Sequence, residues 1–331
     1  MFVLAISAYY MLKKRDLPFA RRSFAIASSF GLASILSVIV LGDESGYEIG
    51  EVQKVKLAAI EAEWETHEPP AAFTLFGIPD QENMETDYAI KIPYALGLIA
   101  TRSVTEEVKG LKDLIAEHEI KIRNGIVAYD LLTQIKAGDR SEATIAEFRS
   151  RVDDLGYGLL LKKYVENPVN ATEEQIKLAA QNSIPRVAPM FWTFRIMVGL
   201  GFIMLVLIGL SFYYSAKGTA ERQKYLLRAL IIALPAPWIA CEMGWFVAEF
   251  GRQPWSIGGI LPTHLSVSTR SIQDLYMSLA GFIGFYTLLL IAEMYLMIRF
   301  ARLGPSSLHT GRYHWEQSEE NDSALTSPAQ A

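Results

Sequence analysis

The sequence predicts an all-α polytopic membrane protein with four full transmembrane helices, a truncated first one and a large helical exterior loop domain. Three observations carry this. Of 331 residues, 51% are hydrophobic and the mean hydropathy is positive, high for a soluble protein. The apolar residues are bunched into runs long enough to cross a hydrocarbon core, which takes about 20 helical residues. The short connections between runs alternate in their Lys and Arg content, which assigns them to sides of the membrane.

The first apolar run, 2–12, is too short to cross, because about 11 residues at about 1.5 Å rise span about half of a ~30 Å core. It is no secretory signal either, since Lys13, Lys14 and Arg15 follow it rather than precede it. It reads as the second half of a spanning helix, so the chain is expected to lack its natural beginning. The full spans are expected at 24–41, 191–214, 226–250 and 275–298. Connections 13–22 ("KKRDLPFARR") and 217–228 ("KGTAERQKYLLR"), with Arg299 and Arg302, are basic and belong on the cytoplasmic side. Segments 43–189 and 251–273 then face outside. The first holds 26 Asp and Glu against 16 Lys and Arg, a net charge of −10 that suits an exterior domain. The organisation is therefore 1–42 (truncated helix and first full span), 43–189 (exterior loop domain), 190–300 (three-helix membrane region) and 301–331, a polar and disordered cytoplasmic tail.

The net charge of −5 leaves no footprint for nucleic acid, and the single cysteine, Cys241, excludes a disulfide framework. The exterior segment has no phosphate loop, no His/Cys cluster and no nucleophilic triad. It has helical patterning in "GEVQKVKLAAIEAEWE" and "SVTEEVKGLKDLIAEHEIKIRNGIVAYDLL", which by itself fits a solvated helical cap.

The charges within the spans are more informative. Arg195 and Met197 lie in the first two turns of a helix entering from outside; Glu249 and Arg252 lie at the exit of the next, at the same depth. At about 100° per residue, Glu242, Trp245 and Glu249 share one face of that helix, with Arg252 close by. A carboxylate one or two turns into a bilayer costs several kcal/mol unless paired, metal-bound or protonated. Two readings stay open: a functional Glu249, or a structural Glu249–Arg252 pair at i, i+3 beside anchoring tryptophans. Met197 is as compatible with packing as with ligation, and Glu293, Pro235 and Pro237 are equally ambiguous.

Four stretches carry a resemblance: "GWFVAEFGRQPW" (244–255), "VLGDESGYEIGEVQKVKLAAIEAEWE" (40–65), "SIPRVAPMFWTFRIMVG" (183–199) and "RFARLGPSSLHTGRYH" (299–314). In order and over nearly the whole chain, they resemble subunit I of the cytochrome bd quinol oxidases of the bacterial inner membrane. The resemblance implies quinol:O2 oxidoreduction through a low-spin haem b, a high-spin haem b and haem d. Partners would be subunit II, small accessory subunits, ubiquinol or menaquinol, O2 and membrane lipid. It implies Met197 as axial ligand of the low-spin haem b iron, Glu249 at the high-spin haem b iron, and Arg195 and Arg252 as arginines of the haem region. Trp245 and Glu242 belong to the same site. Lys56 and Glu61 match the residues of quinol oxidation, and 43–189 the quinol-binding loop.

Chemistry agrees with this transfer. A thioether favours reduced iron and raises its potential. Arginine stays charged at any working pH and meets carboxylates bidentately. Lys56 and Glu61 stand about 140° apart on an ideal helix, so either the helix bends or they bracket the quinol from different sides. The family's histidine ligands fall on helices before this chain's first residue. None of His67, His118, His264, His309 and His314 lies in a span, so the chain resembles the C-terminal two thirds of the subunit. Two other classes stand beside this one: a cofactor-free proton-coupled carrier using Glu242, Glu249 and Glu293 as a relay, and an inert fragment of the oxidase. Haem bands in an optical spectrum separate them.

Overall fold

The computed structural model describes residues 1–66, 69, 71–94, 96–97, 102–103 and 107–303. The expected tail, with His309 and His314, and His67 lie outside the described residues. The chain divides into two units, Met1–Val267 and Ser268–Ala331.

The first helix, α1 (Phe2–Lys13), stops where Lys14 turns left-handed, and Pro18 in the first turn of α2 (Leu17–Val52) restarts the chain. At 36 residues α2 is longer than a bilayer core requires, so the acidic run from Asp43 continues the helix rather than opening the loop. The helix thus runs on past the span expected at 24–41, as far as Val52. A break at Gln53 starts α3 (Lys54–Glu61), which ends in left-handed Ala62.

The exterior loop is not purely helical, which corrects the expectation from its patterning. Strands β1 (Phe73–Asp80) and β2 (Glu85–Ile92) pair antiparallel, from Phe73↔Ile92 to Asp80↔Glu85. Asp80 closes the turn by accepting from the backbone N–H groups of Glu82 and Asn83 at 2.8 and 3.2 Å. Two short strands, β3 (Trp255–Ile257) and β4 (Leu261–Pro262), form a second small sheet.

The long amphipathic pattern becomes α4 (Leu111–Ala137), burying Leu111, Leu114, His118, Ile122, Gly125, Ala128 and Leu131 at three- and four-residue spacing. Gly125 is required there: a Cβ would collide with the backbone N of Gly158 in α6 (Leu155–Leu159). Between these helices runs α5 (Glu142–Arg151), and α7 (Glu173–Gln181) opens on a capping box of Thr172 and Gln175.

The span α8 (Val187–Ala216) is one unbroken helix. The next, expected as a span at 226–250, is not one continuous helix. Pro235 caps the second half and Pro237 sits in its first turn, so the segment splits into α9 (Lys224–Ile232) and α10 (Ala236–Phe250), bent by 43°. Proline removes a donor and clashes with the carbonyl four residues back. Among the described residues, three helices are long and apolar enough to cross a membrane, or up to four if the bent pair is one span. In the second unit, α11 (Ile272–Leu303) is the third of them, capped by Ser271, whose Oγ accepts from the Asp274 N–H at 3.1 Å.

Within the first unit one apolar cluster joins α1, α2, α9 and the far end of α8 through Leu4, Phe24, Leu227, Leu230 and Ile208. Another joins α3 to the start of α8 and to Val247 of α10 through Ala59, Ile60, Val187, Met190 and Phe191. The second cluster holds the candidate site.

Candidate functional site

The short helix α3 is mostly buried, including two residues that ordinarily stay in water: Lys56 is 7% exposed and Glu61 2%. Each therefore needs a partner, and the structure supplies partners on two different helices. Lys56 Nζ donates to the Ala248 carbonyl of α10 at 3.1 Å. Glu61 accepts from Arg195 Nη2 of α8 at 3.0 Å. Because α3 is regular over its length, the two side chains leave it in different directions, one toward each neighbouring helix.

The Arg195 guanidinium is divided among loop acceptors. Besides Glu61, its Nη1 donates to the Ile60 carbonyl at 2.5 Å, its Nε to the Thr74 and Leu75 carbonyls at 3.1 and 3.2 Å, and its Nη2 to Thr74. The plane lies over the Phe191 ring at 3.4 Å and faces Phe73 at 5.3 Å. One cation thus fastens both α3 and β1 to α8. The resemblance places Arg195 in the haem region; the structure spends these donors on the loop.

Burial pushes the Glu61 carboxyl up to about 7, outweighing the downward pull of Arg195. It is a group that changes protonation near neutrality, as a general base should. Burial, then the nearby charge of Arg252, holds the Lys56 ammonium below its ordinary value, with Glu249 opposing. Lys56 therefore lies within the field of both charges at the end of α10. Its path depends on Gly251: a Cβ there would stand 3.0 Å from Lys56 Cε and 2.6 Å from Met190 Cε.

On α10 the face predicted from the 100° repeat is real: Glu242, Trp245 and Glu249 are all exposed within this chain. Glu249 is ion-paired with Arg252 at i, i+3, the pair being 48% and 43% exposed. Met197 of α8 turns toward the same helix, with its sulfur 3.0 Å from where a Cβ on Gly244 would stand. The missing side chain at Gly244 is what admits the thioether.

The donor set tests the fit to haem. A thioether is an accepted axial ligand and a carboxylate can accompany iron; Met197 lies in the seam between two spans and Glu249 on an open apolar face. They fit as single donors. Among the described residues no group of three or more His, Cys, Asp or Glu could hold a metal ion. His118 is occupied elsewhere, its Nδ1 2.6 Å from Ser183 Oγ and its ring against Tyr157, and burial lowers it to about 4.

Sequence reasoning missed Glu63, Lys91 and the hairpin that seals the site. Glu63 is 2% exposed with Lys91 Nζ of β2 at 3.6 Å. Its sequence signal was slight, one more acid in an acidic run. The hairpin had a better one, the alternating aromatic and β-branched residues of "FTLF" and "DYAI" flanking a polar turn.

A family model described as Cytochrome bd terminal oxidase subunit I matches residues 1–305. The chain is 44% identical over 310 residues to the cytochrome bd-II ubiquinol oxidase subunit 1 of Escherichia coli (strain K12), covering 94% of this chain and 60% of that protein. It is 29% identical over 304 residues to the cytochrome bd ubiquinol oxidase subunit 1 of Bacillus subtilis (strain 168), covering 92% and 53%. It spans rather more than half the length of these relatives.

Proposed function

The chain belongs to the cytochrome bd terminal oxidase subunit I family, and we propose that it forms the quinol-oxidising part of such an oxidase, with α3 as its quinol site. The observation that carries this is the buried Glu61–Arg195 pair, a carboxyl poised near 7 beside a membrane-crossing helix. Oxidising a quinol releases protons as well as electrons, so the site needs an acceptor whose acidity matches the working pH. Glu61 takes the proton from a quinol hydroxyl. Lys56, on the other side of α3, donates to a ring oxygen by leaving the Ala248 carbonyl, so the two bracket the ring. Relatives carry ubiquinol in their names, and ubiquinol is the first substrate to try, with menaquinol the second.

Met197 would hold the low-spin haem b and Glu249 the high-spin haem b, with Arg252 and Trp245 beside them and Glu242 deeper on the same face. Together with haem d, such groups when bound would supply the one-electron chemistry between quinol and O2. The segment 43–189 faces outside, so protons from Glu61 leave on that side, and the C-terminus faces the cytoplasm. Subunit II and small accessory subunits complete the assembly in the bacterial inner membrane.

The test is steady-state quinol oxidation in membranes carrying the assembled oxidase. Glu61→Gln and Lys56→Ala should each slow quinol turnover by about tenfold or more and leave the haem spectrum intact. O2 reduction from an artificial donor that reaches the haems directly should keep its rate. Equal loss with both donors means the loop is structural and the assignment is wrong.

A further inference from the structure

A base buried as deeply as Glu61 must pass its proton on before it can take another. Two charged groups act on its carboxylate. Arg195 is already charged and accepts nothing. The Ile60 and Thr74 carbonyls accept from Arg195. The remaining group is Glu63, whose charge is felt at Glu61. Between the two acids, left-handed Ala62 (φ 52°) turns the chain, and both side chains stay inside at 3% and 2% exposure.

Glu63 continues the line outward. Its Oε1 lies 3.6 Å from Lys91 Nζ, and Lys91 is 38% exposed on β2, where this line of groups meets solvent. The segment carrying Glu63 is fixed on three sides. Leu111 N donates to the Glu63 carbonyl at 2.9 Å, Trp64 Nε1 to Thr86 Oγ1 at 3.0 Å, and Thr86 Oγ1 to the Ala62 carbonyl at 3.1 Å. A carboxylate so held, beside a half-exposed cation at the solvent edge, is placed as a relay.

Resting on the reading of α3 as the quinol site, we propose that Glu63, held by Lys91 of β2, is the outlet through which Glu61 returns quinol protons to solvent. The O–H bond of the quinol breaks and the proton joins the Glu61 carboxylate. It then passes to the Glu63 carboxylate, which restores Glu61 as a base, and leaves to water beside Lys91. Only a proton moves along this line. The Lys91 ammonium, 3.6 Å from the Glu63 carboxylate, holds it in place, which makes Lys91 a positioning residue.

The experiment uses the assembled oxidase in membranes with ubiquinol-1 as donor. Glu63→Gln keeps the shape and removes the proton-carrying group, so quinol turnover should fall about tenfold at a KM close to wild type. The haem spectrum and the rate with a directly reacting donor should stay unchanged. Lys91→Met should move the acid limb of the pH–rate profile upward by about one unit, since Glu63 loses its cation; Lys91→Arg should keep the wild-type profile. Glu63→Gln at wild-type speed beside a slow Glu61→Gln overturns the outlet and leaves the quinol site standing. Wild-type speed in both variants overturns outlet and site together. Should Glu63→Gln fail to assemble, the surface variant decides: an acid limb unmoved in Lys91→Met overturns the proposal.

Discussion

Two of the chain's carboxylate–arginine pairs, one on each side of the candidate site, could hardly differ more in setting. Glu61–Arg195 joins two elements 134 residues apart at 3% and 10% exposure; Glu249–Arg252 lies on one helix end at 48% and 43%. In the first, both charges have left water, and every hydrogen bond around them replaces lost hydration. In the second, both partners sit on one helix end at i, i+3, so the contact ties no two elements together. Damage at the two sites therefore means different things. A defect at Glu61 mixes structure with chemistry, whereas a defect at Glu249 is hard to explain by the lost pair.

The largest effect should come from Arg195→Leu. It leaves the Glu61 carboxylate and the Ile60 and Thr74 carbonyls without their donor, at a cost of about 3–5 kcal/mol. The thermal midpoint of the purified oxidase should drop, and proteolysis of the loop should appear before any loss from the spans. Arg195→Lys should rescue only in part, because one ammonium cannot reach all these acceptors. A full rescue by lysine would break the contrast, since it would reduce the buried pair to a point charge.

Acid should act next, and on the loop. His118 has its folded value lowered to about 4 from 6.5, so the native state binds fewer protons than the unfolded chain in that interval. Stability is therefore fully present above about 6.5 and is lost as pH falls toward 4, by about 3 kcal/mol at most. Glu61 runs the other way. Its raised value favours the folded state below the ordinary carboxylate range, and that contribution fades as pH rises through about 7. Melting curves from pH 4 to 7.5 with His118→Gln should lose the acid-side decline and keep the other slope.

Met197→Leu preserves volume and apolarity, so stability should change by less than about 1.5 kcal/mol. The low-spin haem band should vanish or turn high-spin. An unchanged spectrum reduces Met197 to a packing residue against Gly244. Smallest in stability is Glu249→Gln, whose lost pair should cost under about 1 kcal/mol. A selective change in the high-spin haem band sharpens the comparison; a proportional fall of all bands puts Glu249 with the structural pair.

Much of this was legible in the amino-acid sequence. Apolar runs located the helices long and apolar enough to cross a membrane, because a bilayer imposes length and hydropathy on a segment independently of its neighbours. The face formed by Glu242, Trp245 and Glu249 followed from the helical repeat alone, and the family from four ordered motifs. The break at Pro235 was signalled by its residue type, though not its 43° size. Tertiary structure decided the rest. That Lys56 reaches Ala248, that Arg195 clasps Glu61 and β1, and that Glu63 meets Lys91 are contacts between residues 28 to 192 positions apart. No local pattern encodes them, since identical charges in an acidic run are solvated or buried according to what packs above them. Here the hairpin and α8 close over α3, and that burial raises the Glu61 carboxyl from the ordinary range to about 7.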